Sequence, residues 1–314
     1  MALLLAVGGY LWAGAAPPSL SAEPAGSIRG RVVDRTAAPR LLVGQPVRLE
    51  IVERGSTSER RAVTDAHGAF VFGGLPLGGV PRVFLVGTQY RGVPYEARVE
   101  LTDGAPAQAV DLAVYEATRD QAAVRGTLAF AVMEASRGAV RVSVIQRLEN
   151  ATRRTVVPAD GDPLVFPLPD GAEAVEFIGG WRHPRVERGT IADTPAVPPG
   201  VLQVGYAYGL EPRTPRLTLT WALPYGATDV EMLVGDPSLR VGGDGVRSAG
   251  VLSESGRRFA RWSAGPVPRG GRIVFTFDGI APRDDRWPAI AAAVLGGLLA
   301  GGLAFALRPR AAIR

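Results

Sequence analysis

The side chains that most often carry catalysis are scarce in this chain, and their spacing limits what they can do. Only two histidines are present, His67 and His183. His67 lies in the polar turn Asp65-Ala66-His67-Gly68, and His183 lies in Trp181-Arg182-His183-Pro184 with Glu187 close behind. Neither belongs to a His-Glu-x-x-His or related spacing that sets zinc ligands together, so a metallopeptidase reading has no ligand set to use. All 35 basic residues are Arg. Without Lys there is no Walker-type phosphate loop, no Schiff base and no Ser-x-x-Lys site. Cys is also absent, which removes thiol catalysis, thiolate metal sites and disulfides. No Gly-x-Ser-x-Gly elbow presents a serine nucleophile.

Carboxylates are densest at Asp160-Gly161-Asp162 and Asp170-Gly171, with Glu173 and Glu176 following. Such a stretch suits an oxygen-ligand calcium loop or the paired carboxylates of glycoside hydrolysis. Pro163-Leu164-Val165-Phe166-Pro167 breaks the short ligand cadence that calcium needs, and turns flanking a strand account for the same residues. Gly242-Gly243-Asp244-Gly245 resembles a fragment of a phosphate loop but reads as a turn, since no helix pattern follows. Asn150-Ala151-Thr152 matches a glycosylation acceptor, a pattern short enough to arise by chance. No catalytic residue, cofactor or metal ligand is therefore assigned. The remaining chemistry is aromatic: flat rings with polar edges stack sugars or anchor protein partners. Trp181 with His183, in a Gly- and Pro-flanked loop, and Tyr206 with Tyr208, on one face of a strand, are the candidate contact residues.

The elements that position these residues read as strands nearly throughout. Short alternating apolar runs are punctuated by Gly, Pro, Asp and Asn, and no soluble stretch sustains helical spacing. The pattern predicts an all-β chain with two tandem β-sandwich domains, 27–116 and 124–280, separated by the polar stretch Glu116–Ala123. In the second, strands are expected at 124–133, 139–148, 154–157, 164–168, 174–179, 201–208, 216–223, 229–234, 257–263 and 272–277.

Within the first domain, Ile28-x-Gly30-x-Val32-x-Asp34 precedes Pro46-Val47-x-Leu49 and then Thr64-Asp65-x-x-Gly68-x-Phe70-x-Phe72-x-x-Leu75-Pro76-x-Gly78. This order resembles the carboxypeptidase regulatory-like domain, a prealbumin-like β-sandwich related to carbohydrate-binding-like folds. The resemblance covers 27–116 and departs from the family pattern at 35–43, where a longer Pro-containing loop replaces a short turn. It implies a module found beside peptidases, adhesins and anchored surface proteins, and no particular activity. Thr64, Asp65, Gly68, Phe70 and Phe72 form its clearest part. They specify a fold: Asp65 and Gly68 shape a turn while Phe70 and Phe72 point into the core.

The two ends read differently. Residues 1–22 begin with an apolar run of secretory length followed by small residues, and are expected to be a signal peptide or N-terminal hydrophobic segment. Residues 287–307 carry no charge and span roughly 31 Å as a helix, enough to cross a bilayer once. Arg308, Arg310 and Arg314 follow, so 308–314 is expected to be a cytoplasmic tail with the body on the other side. Ala293, Gly297 and Gly301 recur every four residues, a stripe suited to close helix approach. The net charge of +5 includes three tail arginines, and the rest are interleaved with acids, which argues against nucleic acid. The usage of Arg, Ala, Gly and Pro without Lys is that of a GC-rich bacterial genome. The expected protein is a membrane-anchored, extracytoplasmic, non-enzymatic binding or scaffold protein of the cell envelope, in periplasm or at the cell exterior, with a membrane or envelope protein as partner. Polysaccharide binding through the first domain is the alternative, and a hydrolase in the second domain the next.

Overall fold

The computed structural model describes residues 25–136, 138–158, 164–254 and 256–280. Apart from a single 3-10 turn at Gln121–Ala123, the described elements are strands, and the chain is all-β. It divides into two compact units. The first holds 25–33, 40–89 and 95–113; the second takes in Asp34–Pro39, Tyr90–Pro94 and the chain from Val114. The expected signal segment 1–22, the span 287–307 with Ala293, Gly297 and Gly301, and the tail 308–314 lie outside the described residues. Among the described residues, no helix is long and apolar enough to cross a membrane.

In the first unit, Ala25–Asp34 is flanked by Arg40–Leu41 and Ala69–Pro76, and also pairs Ala107–Ala109 and Leu112–Val114. A second sheet runs Ser56–Val63, Pro46–Glu53, Val83–Tyr90, Val93–Val99 in spatial order. Period-two alternation buries Val47, Leu49 and Ile51 from one strand and Phe70 and Phe72 from another, the two rings 5.9 Å apart. The edge strand Ser56–Val63 is exposed on almost every residue. Arg60, opposite the buried Leu49, turns inward and donates to the carbonyls of Gly73 and Gly74 in the other sheet. An inward-pointing charge of this kind discourages edge-to-edge pairing.

The turn expected at 65–68 is built by its own side chain. Asp65 Oδ1 accepts from the N–H of His67 at 2.8 Å and of Ala69 at 2.9 Å. Those donors hold its carboxyl below the usual range, the Ala69 N–H most strongly. Gly68 takes φ +67°, a region costly to any residue with a Cβ. Thr64 is buried and ties the preceding loop down, donating to the Leu42 carbonyl and accepting from Gln45 N–H. His67 is exposed.

The second unit is organised by a seven-stranded sheet in the order Glu173–Gly179, Gly200–Leu210, Ala139–Asn150, Val124–Ser136, Asp229–Val234, Arg257–Ala264, Val246–Glu254. Its pairings are antiparallel except at the centre, where Val124–Ser136 runs parallel to Asp229–Val234. Two three-stranded sheets accompany it: Leu164–Pro167, Thr190–Asp193, Arg185–Glu187, and Arg216–Leu223, Gly271–Asp278, Arg240–Gly242. Val142, Val144, Met133, Met232, Tyr206, Trp221, Phe275 and Phe277 share one core. Each such side chain contributes about 1.5–3 kcal/mol by leaving water.

The other face of the large sheet also buries apolar side chains outside that core, Leu233 and Phe259 among them. Leu233 is 2% exposed and Phe259 0%. Arginines shield them: Arg257 stands 5.1 Å over the Phe259 ring and pairs with Glu134 at 2.7 Å, while Arg261, opposite Leu233, pairs with Glu231. The polar stretch Glu116–Ala123, expected to separate the two domains, is structured. Ala117–Thr118 pairs with Thr155–Val156, and Asp120 caps the 3-10 turn by accepting from Ala122 N–H. Glu116 pairs with Arg154 at 2.8 Å and donates its N–H to Thr36 Oγ1, which in turn bonds the buried Asp34 carboxylate.

Candidate functional site

The loop carrying Trp181 and His183 leaves the edge strand Glu173–Gly179 and returns through Arg185–Glu187 and Thr190–Asp193. A Cβ on Gly180 would lie 1.8 Å from the Gln203 carbonyl oxygen, so only glycine lets the loop press against its neighbour strand. Trp181 Nε1 then donates to the Gly205 carbonyl at 2.6 Å. The indole packs edge-on against Phe166, centroids 5.2 Å apart, and lies 5.6 Å from Phe177 and 6.1 Å from Tyr206. Trp181 is half-buried and Phe177 is 40% exposed, so the pair presents aromatic surface to water.

Below the loop sits Asp193, 0% exposed. Its Oδ2 accepts from Arg182 N–H at 2.8 Å, and its Oδ1 from His183 N–H at 3.0 Å and Thr194 N–H at 2.7 Å. Three donated backbone hydrogens replace the water this carboxylate loses and fix the course of the loop. The His183 and Arg182 side chains are exposed. Asp193 was not among the residues the sequence singles out.

Tyr206 and Tyr208 occupy another environment from the one their candidacy required. They share a strand face as expected, but are 1% and 2% exposed and belong to the core between the sheets. Their alternation with Gly205, Ala207 and Gly209 turns both rings inward, where they stack 6.3 Å apart. Tyr206 accepts from Gln146 Nε2 at 3.1 Å, and burial pushes its hydroxyl up to about 12. Burial also pushes Tyr208 up. Neither ring reaches a ligand at the surface. Of the four candidates, Trp181 and His183 are the ones that stand at the surface.

Among the described residues, the carboxylate candidates are not drawn together. Asp160 and Asp162 lie outside the described residues. Asp170 and Glu173 are exposed. Glu176 reaches across the narrow strand at Ala207 and Gly209 to Arg141, and this bidentate pair at 2.6 and 3.0 Å holds its carboxyl below the usual range. It is thus kept ionised, the reverse of what a general acid needs. Among the described residues, no three His, Asp or Glu side chains are placed to hold a metal ion. Gly242 ends the strand Arg240–Gly242 and Gly243–Gly245 turn the chain, with Val246 N–H donating to the Gly243 carbonyl.

No known protein family matches this chain, and neither does any curated protein sequence. Some solved structures are similar over about half of it. Native leukotriene A4 hydrolase from Saccharomyces cerevisiae is 10% identical with a TM-score of 0.34, over 49% of this chain and 29% of that one. An M1 zinc metallopeptidase from Deinococcus radiodurans is 13% identical with a TM-score of 0.31, over 49% and 42%. A two-domain M1 zinc metallopeptidase bound to L-tryptophan is 13% identical with a TM-score of 0.32, again over 49% and 42%. This chain spans less than half the length of these proteins, and likeness at this level assigns it no activity.

Proposed function

We propose that this chain is a non-enzymatic binding or scaffold protein of a bacterial cell envelope, held by a single span at 287–307 with its body outside the cytoplasm. On this reading 1–22 directs export, 308–314 stays in the cytoplasm, and the first unit is a carboxypeptidase regulatory-like β-sandwich. The observation that supports a binding role is the aromatic pair Phe177 and Trp181. Its loop is tied at Gly205 and at Asp193, so the rings are presented in one conformation before any partner arrives. Preorganised rings lose little entropy on contact, which is how aromatic anchors dominate interfaces. The partner is a membrane or envelope protein. Polysaccharide is the second reading, since exposed rings with polar neighbours also stack sugars. A pull-down of the full chain from its own membrane, beside a glycan array, tests both. Trp181→Ala should abolish capture of the enriched partner; capture that survives this change removes the aromatic pair from the contact.

A further inference from the structure

The second unit has a definite polarity. Val124, where the chain joins the large sheet, pairs with Asn150, and Asn150 with Gly200, which places all three at one end. Leu223 pairs with Gly271 near that same end, where Gly126 N–H meets the Tyr225 carbonyl. From there Gly271–Asp278 runs the other way, until Asp278 pairs with Arg216. An eight-residue strand covers about 26 Å. The last described residue, Ile280, is thus at the opposite end from Val124. It is also fastened there: it is 3% exposed, and the N–H groups of Gly279 and Ile280 both donate to the Pro215 carbonyl, at 3.0 and 3.1 Å.

Only residues 281–286 separate this fixed point from the apolar segment 287–307. Fully extended, these six residues span at most about 20–22 Å. The end of the unit nearest to Ile280 is formed by the loops 211–215 and 235–239, with Leu239 against Gly279. Among the described residues, none of the exposed large hydrophobic side chains belongs to these loops. What they expose is Glu211, Arg213, Thr214, Pro215, Pro237 and Ser238, with Arg216 and Arg240 adjoining, a polar face of both signs with more arginine than acid, which suits lipid headgroups and not the hydrocarbon.

From this polarity we infer that the Ile280 end of the second unit, through loops 211–215 and 235–239, rests on the headgroup surface of the bilayer that holds 287–307, and the Val124 end is held away from it. The inference rests on the single-span reading proposed above. The test uses the full chain, which is naturally free of cysteine, in phosphatidylcholine–phosphatidylglycerol vesicles carrying a headgroup nitroxide. Single fluorophores at Arg213→Cys and Pro237→Cys should be quenched at least about twofold relative to Arg153→Cys, beside Asn150. A flexible insertion of about 20 Gly and Ser residues within 281–286 should erase the difference while membrane retention persists. Equal quenching at all three positions, or a difference that survives the insertion, overturns the orientation alone. Release of the protein by an alkaline carbonate wash overturns the single-span reading, and the orientation with it.

Discussion

Trp181 and Gly205 are joined by a 2.6 Å hydrogen bond from indole to backbone carbonyl, which makes a half-exposed ring part of the sheet it stands on. Removing only the N–H, as in Trp181→Phe, should cost about 1 kcal/mol in urea unfolding. Trp181→Ala should cost about 2–3 kcal/mol, below the range for fully buried rings. If the two variants melt alike, the hydrogen bond and the edge contacts to Phe166 do not hold the loop.

Asp193 holds that loop from beneath. In Asp193→Ala three backbone N–H groups lose their acceptor in a closed site, and stability should fall by about 3 kcal/mol. Amide exchange at Arg182, His183 and Thr194 should accelerate well beyond the global change. Uniform acceleration across the sheet would mean the carboxylate serves the whole unit and not the loop.

Tyr206 should titrate well above a free phenol. Its ionisation is pushed up from 10.0 to about 12 by burial, so its contribution to stability is complete below about pH 10 and is lost as pH rises toward 12. Ultraviolet titration of the folded protein reads this directly. Tyr206→Phe should remove that alkaline step and destabilise by about 1–3 kcal/mol at neutral pH, because the 2% exposed Gln146 loses a partner. A neutral-pH stability equal to that of the parent would contradict it.

Asp65 works in the opposite direction. Its folded ionisation lies below that of the unfolded chain, so its stabilising effect is present above about pH 4 and fades as pH falls through the folded value. Asp65→Ala should lower the melting temperature of the first unit at pH 7 and leave it less sensitive to acid. Asn, which keeps an acceptor oxygen for His67 and Ala69, should restore part of the loss at pH 7. A variant that keeps the full acid sensitivity would assign that sensitivity elsewhere.

Phe259 lies outside the main core yet is 0% exposed, with Arg257 over its ring. Phe259→Ala should cost about 3–5 kcal/mol, as in a core. Arg257→Gln should cost no more than about 1 kcal/mol, since its pair with Glu134 is partly exposed. Comparable losses for the two would mean that the ion pair, not the ring, carries the site.

Strands that alternate between core and water were legible from the chain alone. Arg216–Leu223 and Asp229–Val234 match the expected bounds, and Gly200–Leu210 and Gly271–Asp278 extend them by one or two residues. Ser56–Val63 and Val246–Glu254 were hidden for most or all of their length because they are exposed on both faces, which leaves no period of two to read. Arg185–Glu187 and Thr190–Asp193 are too short to show one. At the site, Trp181 stands in the loop its flanking glycines and prolines announced. Tyr206 and Tyr208 share the face their spacing requires, but spacing does not say which face is wet. Asp193 looks like a turn residue in Ala192-Asp193-Thr194-Pro195, and only the returning loop ten residues upstream closes it from solvent.

The parallel seam at the middle of the large sheet has a kinetic consequence. Thr228 Oγ1 bonds the Thr127 carbonyl across 101 positions of sequence, and Val124–Ser136 gains its second neighbour only through this long closure. Such distant pairing folds slowly, because the loop entropy is lost before any contact is made. Until Asp229–Val234 arrives, Val124–Ser136 is an open edge carrying Phe130, Val132 and Met133, able to recruit strands from other chains. A nascent chain that stalls short of Asp229 should therefore aggregate through this strand, and a chaperone that acts on this protein would find its binding site there.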